Sequence, residues 1–219
     1  MTTSVSRSTK AKIDYPTSDG RPMAETDLHR DQMIAQIETL KRRFAADPLF
    51  YVSGNLLVFY RPGDRLCHLS PDVFVVRGVP KHQRDHYLIW KEKRTLDLVI
   101  ELTSRSTKAE DIEDKFVLYR DELKVKEYFL FDPYSEYLDP ALQGYRLNRG
   151  RYVSIKPVER RLPSKVLNLH LERDGRNLRL YDPIEGKWVP TPQEELVKAE
   201  EALARMKSEI ESLKRRIDK

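Results

Sequence analysis

Residues 96–103, LDLVIELT, constrain the fold more than any other stretch. Leu96, Leu98, Val99, Ile100 and Leu102 make the run apolar over much of both faces, where a half-solvated strand would alternate apolar and polar. Such a strand takes a central place in a covered sheet. It also carries Glu101 next to residues bound for burial, and a carboxylate is seldom buried without a partner or a metal.

The rest of the chain supplies elements to surround that strand. Apolar residues Leu28, Met33, Ile34, Ile37, Leu40 and Phe44 recur at spacings of three and four, which predicts an amphipathic helix over 26–44, closed by Asp47-Pro48. FYVSGNLLVFY at 50–60 predicts one or two strands broken at Ser53-Gly54, and DVFVV at 72–76 a short apolar strand. A charged connection with Tyr87 and Trp90 embedded in it spans 81–94. Thr107 to Glu110 fits a capping box that opens a helix reaching about residue 122, followed by the strand YFLF at 128–131. Helix, strands, helix and strand in this order give an α/β fold. From 144 to 188 short apolar runs alternate with turns at Asn148-Arg149-Gly150, Asp174-Gly175 and Glu185-Gly186, as two or three appended β-hairpins do. The expected divisions are a disordered lead-in at 1–14, an α/β core at 15–140, a hairpin extension at 141–190 and a C-terminal helix at 191–219.

That last segment has a strict seven-residue period. Leu196, Ala199, Leu203, Met206, Ile210, Leu213 and Ile217 alternate at steps of three and four, with Glu209 at g and Lys214 at the following e. The pattern predicts a parallel coiled coil and a homo-oligomer joined through 196–217. The competing expectation is one amphipathic helix lying on the domain.

Composition narrows the class. A chain of 219 residues suits one domain plus an extension, and 34% charged residues beside 39% hydrophobic ones imply a heavily charged surface. A lone Cys67 excludes an internal disulfide framework and a Cys-rich zinc site. No apolar run is long enough for a membrane span, and no secretory h-region follows Met1, so a cytoplasmic protein is expected. The Ser-, Thr- and Lys-rich start leaves a transit peptide as the lesser alternative. The net charge of +5 is uneven: 96–140 is acidic, while 81–95 and 141–190 are basic.

Three residues carry the expected chemistry. Asp72 opens the strand DVFVV, Glu101 lies near the end of LDLVIELT, and Lys115 sits at the edge of the helix stripe formed by Ile112, Phe116 and Tyr119. Each has an ordinary alternative: a strand-edge turn for Asp72, an arginine partner for Glu101, a snorkelling surface position for Lys115. Together they suit a divalent cation held by carboxylate oxygens with an ammonium beside it, and Mg²⁺ (or Mn²⁺) favours such hard ligands. Glu25 and His29, one helical turn apart, are auxiliary candidates, although an acid there also complements the helix dipole. His68 is expected to be an ordinary loop histidine.

Pro71-Asp72, Glu101-Leu102-Thr103-Ser104, Asp114-Lys115 with Tyr119, and Glu127-Tyr128-Phe129-Leu130 with Asp132-Pro133 follow one another in an order that resembles the bacterial Uma-two family of restriction-endonuclease-like proteins, of the PD-(D/E)XK nuclease superfamily. YPTSDGRPMAETDLHRDQMI, YVSGNLLVFY and the long C-terminal helix are similar to one branch of it. The resemblance implies a restriction-endonuclease-like core, a mixed sheet flanked by helices, with Asp72 and Glu101 as metal ligands. Thr103 stands where the superfamily usually has lysine; in the family the lysine comes from the next helix, which corresponds here to Lys115.

The implied activity is Mg²⁺-dependent hydrolysis of phosphodiester bonds in nucleic acid, DNA before RNA, with Lys115 positioning water or stabilising charge on phosphate. A phosphate track is expected along Lys81, Arg84, Lys91, Lys93 and Arg94, interleaved with aromatics, although a solvated loop has the same composition. The alternatives are a catalytically silent nucleic-acid-binding or assembly module on the same fold, and a carboxylate-rich domain that binds another ligand without hydrolysis.

Overall fold

The computed structural model describes residues 13–18, 20, 26–103 and 110–217. The expected lead-in therefore falls almost wholly outside the described residues, as do Glu25 and the Thr107 end of the capping box.

Helix α1 (Asp27–Arg43) matches the apolar spacing and is capped by Thr26, whose hydroxyl accepts the His29 N–H at 3.2 Å. The central sheet is built from β1 (Phe50–Ser53), β4 (Val73–Arg77), β6 (Leu98–Leu102), β7 (Glu127–Phe131), β8 (Leu142–Asn148) and β9 (Arg151–Ser154), adjacent in that order. β6 lies in its interior, antiparallel to β4 and parallel to β7. That is the place LDLVIELT requires, and every residue of β6 is buried.

Side-chain parity divides the core into two layers. Val73, Val75, Leu98, Ile100 and Leu102 pack on one side with Met33 and Leu40 of α1. A second sheet of β10 (Leu162–Ser164), β11 (Leu169–Asp174), β12 (Asn177–Asp182) and β13 (Lys187–Trp188) joins that layer through Leu162, Leu169, Leu171, Leu178 and Leu180. Phe74, Val76, Val99, Tyr128 and Leu130 pack on the other side with Tyr119 from a helix over 110–122. Its first and last turns, Glu110–Asp114 and Leu118–Glu122, are wound as π-helix about a single α turn. The hairpin region is therefore divided in use: β8 and β9 widen the central sheet, and the later strands roof one of its faces.

The connection at 81–94 is more ordered than its composition suggests. β5 (Tyr87–Leu88) runs parallel to β2 (Val58–Phe59), which pairs on its other side with β3 (His68–Leu69), and a short helix Ile89–Glu92 follows. Arg84 anchors this unit: its guanidinium meets both Glu92 carboxylate oxygens at 2.8 and 3.1 Å and lies 4.1 Å from the Tyr51 ring centroid.

The C-terminal helix Pro192–Ile217 starts with a capping box, Thr191 and Glu194 each accepting the other's backbone N–H. Its root is tied down by Arg179–Glu194 at 2.8 Å and by an Arg42–Glu195 pair. Beyond the root the heptad residues are open to solvent: Leu203 is 53% exposed, Met206 61% and Ile210 50%. Among the described residues no apolar surface covers that stripe, which differs from the expectation of a helix lying along the domain. Among the described residues no helix is long and apolar enough to cross a membrane.

The bond from Arg84 holds the Glu92 carboxyl below the usual carboxylate range. A depressed native pKa contributes stability that is present above the unfolded value, about 4.3, and is lost as pH falls through the native one. Glu92→Gln is expected to lower unfolding free energy at pH 7 by about 2 kcal/mol, since it strands a buried guanidinium. In urea titrations the gap from the parent should narrow below about pH 4; a gap independent of pH would contradict the ion pair.

Candidate functional site

The β4–β6 register pairs Val73 with Ile100, so Asp72 and Glu101 lie opposite one another at one end of the sheet. Glu101 is fully buried on the side of the 110–122 helix. Its Oε1 accepts the Tyr119 hydroxyl at 2.6 Å and meets Lys115 Nζ at 3.2 Å, while Oε2 accepts the Asp72 backbone N–H at 3.2 Å. Lys115 and Tyr119 are four residues apart, so one helical turn delivers both groups to one carboxylate.

Asp72 is held from the opposite layer. Its Oδ2 accepts the Leu102 N–H at 2.7 Å, and its Oδ1 lies 3.2 Å from His29 Nε2. The Thr26 cap fixes the first turn of α1 and with it His29. The cluster thus straddles the end of the sheet, with an imidazole from one covering layer and an ammonium and a phenol from the other.

Two backbone features make room for it. A Cβ at Gly54 would stand 1.9 Å from the Asp72 carbonyl oxygen and 2.7 Å from Ile37 Cδ1, so only glycine lets the chain leaving β1 pass this close. Asn55, at φ 47°, then donates its N–H to the Pro71 carbonyl at 2.8 Å. The expected strand break at Ser53-Gly54 therefore has a role in shaping the site. Thr103 closes the other side: its N–H and hydroxyl both reach the Phe131 carbonyl, at 2.8 and 3.3 Å, and the residue is buried.

Other buried acids are structural. Asp132 accepts N–H groups from Tyr134, Tyr137 and Leu138, and Glu127 is matched by Arg146, Ser164 and the backbone of Lys165 and Val166. Asp97 takes the Arg77 N–H and Lys126. Among the described residues none of the three bonds to a second carboxylate.

The donor set at the cluster suits a hard divalent cation. Each carboxylate oxygen has two lone pairs, so Asp72, with one contact at each oxygen, keeps acceptor capacity. Two protein oxygens with several retained waters are a normal Mg²⁺ complement. Among the described residues no group of three or more His, Cys, Asp and Glu side chains is drawn close enough to form a ready-made cage.

Sequence reasoning placed Asp72, Glu101, Lys115 and His29 as candidates, and the fold brings these four together. It did not identify the Tyr119 hydroxyl or Gly54. The four-residue step from Lys115 signals the first; the second depends on a crossing between elements distant in sequence. The expected phosphate track is not part of the cluster. Asp72 precedes β4, whereas Lys81 and Arg84 follow its far end, about 13 Å away at the usual rise per residue. Lys93 and Arg94 precede β6, again at the far end, and Lys91 lies in the short helix before them. Lys81 Nζ is bonded to the Phe44 and Ala45 carbonyls beyond the last turn of α1, and the Arg84 side chain is 3% exposed against Glu92. These five therefore stand toward the opposite end of the sheet from the carboxylates. His68 has Nδ1 2.9 Å from the Arg65 carbonyl, a local loop contact.

Gly54→Ala should lower stability by about 2–3 kcal/mol, because the new Cβ displaces the Asp72 backbone. Chemical denaturation measures this, and a variant as stable as the parent would refute the close approach.

A family model, Uma2, described as "Putative restriction endonuclease", matches residues 6–207. A crystal structure of "a putative nuclease belonging to DUF820" from Anabaena variabilis ATCC 29413 is similar at a TM-score of 0.48 and 16% identity, over 71% of this chain and 85% of that one. No curated protein matches the chain.

Proposed function

The chain belongs to the Uma2 family, and from that membership together with the cluster at the sheet end we propose a divalent-metal-dependent endonuclease that hydrolyses phosphodiester bonds, with DNA as its substrate. The observation that carries the reading is the Lys115 ammonium 3.2 Å from the buried Glu101 carboxylate, which itself lies opposite Asp72.

Asp72 and Glu101 would hold the ion, Mg²⁺ or Mn²⁺. When bound, it supplies positive charge to phosphate oxygens and acidifies a coordinated water. The protein does the rest. The Tyr119 hydroxyl and the Asp72 N–H keep Glu101 in one orientation, and the Leu102 N–H does so for Asp72. Lys115 offers N–H donors to a phosphate oxygen or to the attacking water, from a position only 14% exposed where a charge is weakly screened. It provides from the helix the ammonium that Thr103, committed to the Phe131 carbonyl, does not provide from the strand. His29 positions Asp72 and can exchange a proton at Nε2.

Supercoiled plasmid incubated with Mg²⁺ or Mn²⁺ tests this reading. Cleavage should require the metal and fall by a hundredfold or more in Glu101→Ala and Lys115→Ala, the scale of losing a charge-stabilising group. Cutting that survives both substitutions would place the activity elsewhere. A folded chain that never cuts would leave the silent module on the same fold.

The uncovered heptad stripe supports self-association of the C-terminal helices, with Glu209 and Lys214 placed for an interchain g–e pair. Truncation after Pro190 should reduce the solution mass, by light scattering, to that of one chain. An unchanged mass would refute the coiled coil.

A further inference from the structure

We propose that the β11–β12 hairpin is a phosphate-contact rim for the nucleic acid at the carboxylate end of the sheet, with Arg176 and Arg173 as its binding residues. This rests on the nuclease reading and assigns that site its means of holding the substrate.

Two independent contacts put the hairpin tip there. On one side, buried Gln32 of α1 bonds Asn177 Oδ1 at 2.7 Å and accepts the Leu178 N–H at 2.9 Å, and Gln36 donates to the Leu178 carbonyl at 2.7 Å. Gln32 follows His29 by three residues on the same helix face, so the clamp lies one turn from the imidazole that meets Asp72. On the other side, the Arg176 guanidinium carbon lies 5.1 Å from the Tyr134 ring centroid. Tyr134 follows Phe131, the residue paired with Leu102 where β6 ends. The tip therefore bridges α1, near the turn that carries His29, and the loop that follows β7, at the end of the sheet that holds the carboxylate pair.

The charge at that tip is available. Gly175, at φ 61°, makes the tight turn between Asp174 and Arg176. Among the described residues no carboxylate pairs with Arg176 or Arg173, both exposed, and Arg173 donates from Nε to the Gly175 carbonyl at 2.8 Å. The bases deeper in the same region differ. Arg146 is paired with Glu127, Arg161 with Glu172 and Arg179 with Glu194. At the start of α1, Arg30 is balanced by Asp27 and Asp31. An exposed arginine within cation–π reach of a tyrosine ring, without a carboxylate partner among the described residues, suits a phosphate oxygen that approaches along the sheet end. The glutamine clamp is neutral, so it holds the hairpin without consuming that charge.

Fluorescence anisotropy of a labelled 20-base-pair DNA duplex and of its single strand, in EDTA, tests the rim with the full chain. Arg176→Glu should weaken duplex binding about tenfold and lower the salt-dependence slope by about one, and Arg173→Glu/Arg176→Glu should go further. Lys91→Glu, an exposed lysine toward the opposite end, should bind as the parent does, and all variants should keep the parent melting temperature. Equal binding by Arg176→Glu and the parent would overturn the inference, as would an equal loss in Lys91→Glu. A parent that cleaves plasmid while Arg176→Glu binds normally refutes the rim alone. A parent that binds through Arg176 but never cleaves with metal refutes the nuclease reading and leaves the rim standing. A parent that binds neither form in EDTA refutes the rim, and metal-dependent plasmid cleavage by that parent decides the nuclease reading separately.

Discussion

A carboxylate with no solvent exposure sets the terms for this fold. Charge at Glu101 costs several kcal/mol unless it is matched where it lies, and the matching groups come from different parts of the chain: the Asp72 backbone across the sheet and Lys115 and Tyr119 from the helix above it. Each of these groups is correct only if β4, β6 and the 110–122 helix are packed in their native places. The same compact arrangement leaves Asp72 beside it, so the most demanding electrostatic feature of the core is also where the proposed chemistry lies.

The central sheet then separates two ends with different work. At one, His29, Asp72, Glu101 and Lys115 converge, with the β11–β12 tip alongside. At the other, Arg84, Glu92, Lys81 and the end of α1 form a network whose charges are spent on each other and on carbonyl groups. A basic loop beside an acidic segment in sequence is thus no guide to proximity, because β4 carries the chain away from Asp72 and antiparallel β6 brings it back to Glu101, leaving the loop at the opposite end.

Much of this was legible from local pattern. LDLVIELT is apolar on both faces because it lies in the sheet interior, and the four-residue step from Lys115 to Tyr119 follows from helix geometry. The family resemblance read on Asp72, Glu101 and Lys115 agrees with the matching family model. What was not legible depends on long-range packing. His29 meets Asp72 across 43 residues, and Gln32 reaches the hairpin across 145. The requirement for glycine at 54 exists only because the Asp72 carbonyl passes there. Likewise, Arg84 looks like a phosphate contact in composition and is a buried partner of Glu92 in space.

The central claim is that Asp72 and Glu101 share a divalent ion at the sheet end. Titration of the full chain with Mn²⁺, followed by the loss of the free-ion electron paramagnetic resonance signal, tests it without relying on turnover. The account predicts saturable binding in the parent and a loss of at least tenfold in affinity in Asp72→Asn and in Glu101→Gln, both still folded by circular dichroism. Parent-like Mn²⁺ binding in both variants, or none in the parent, would contradict it.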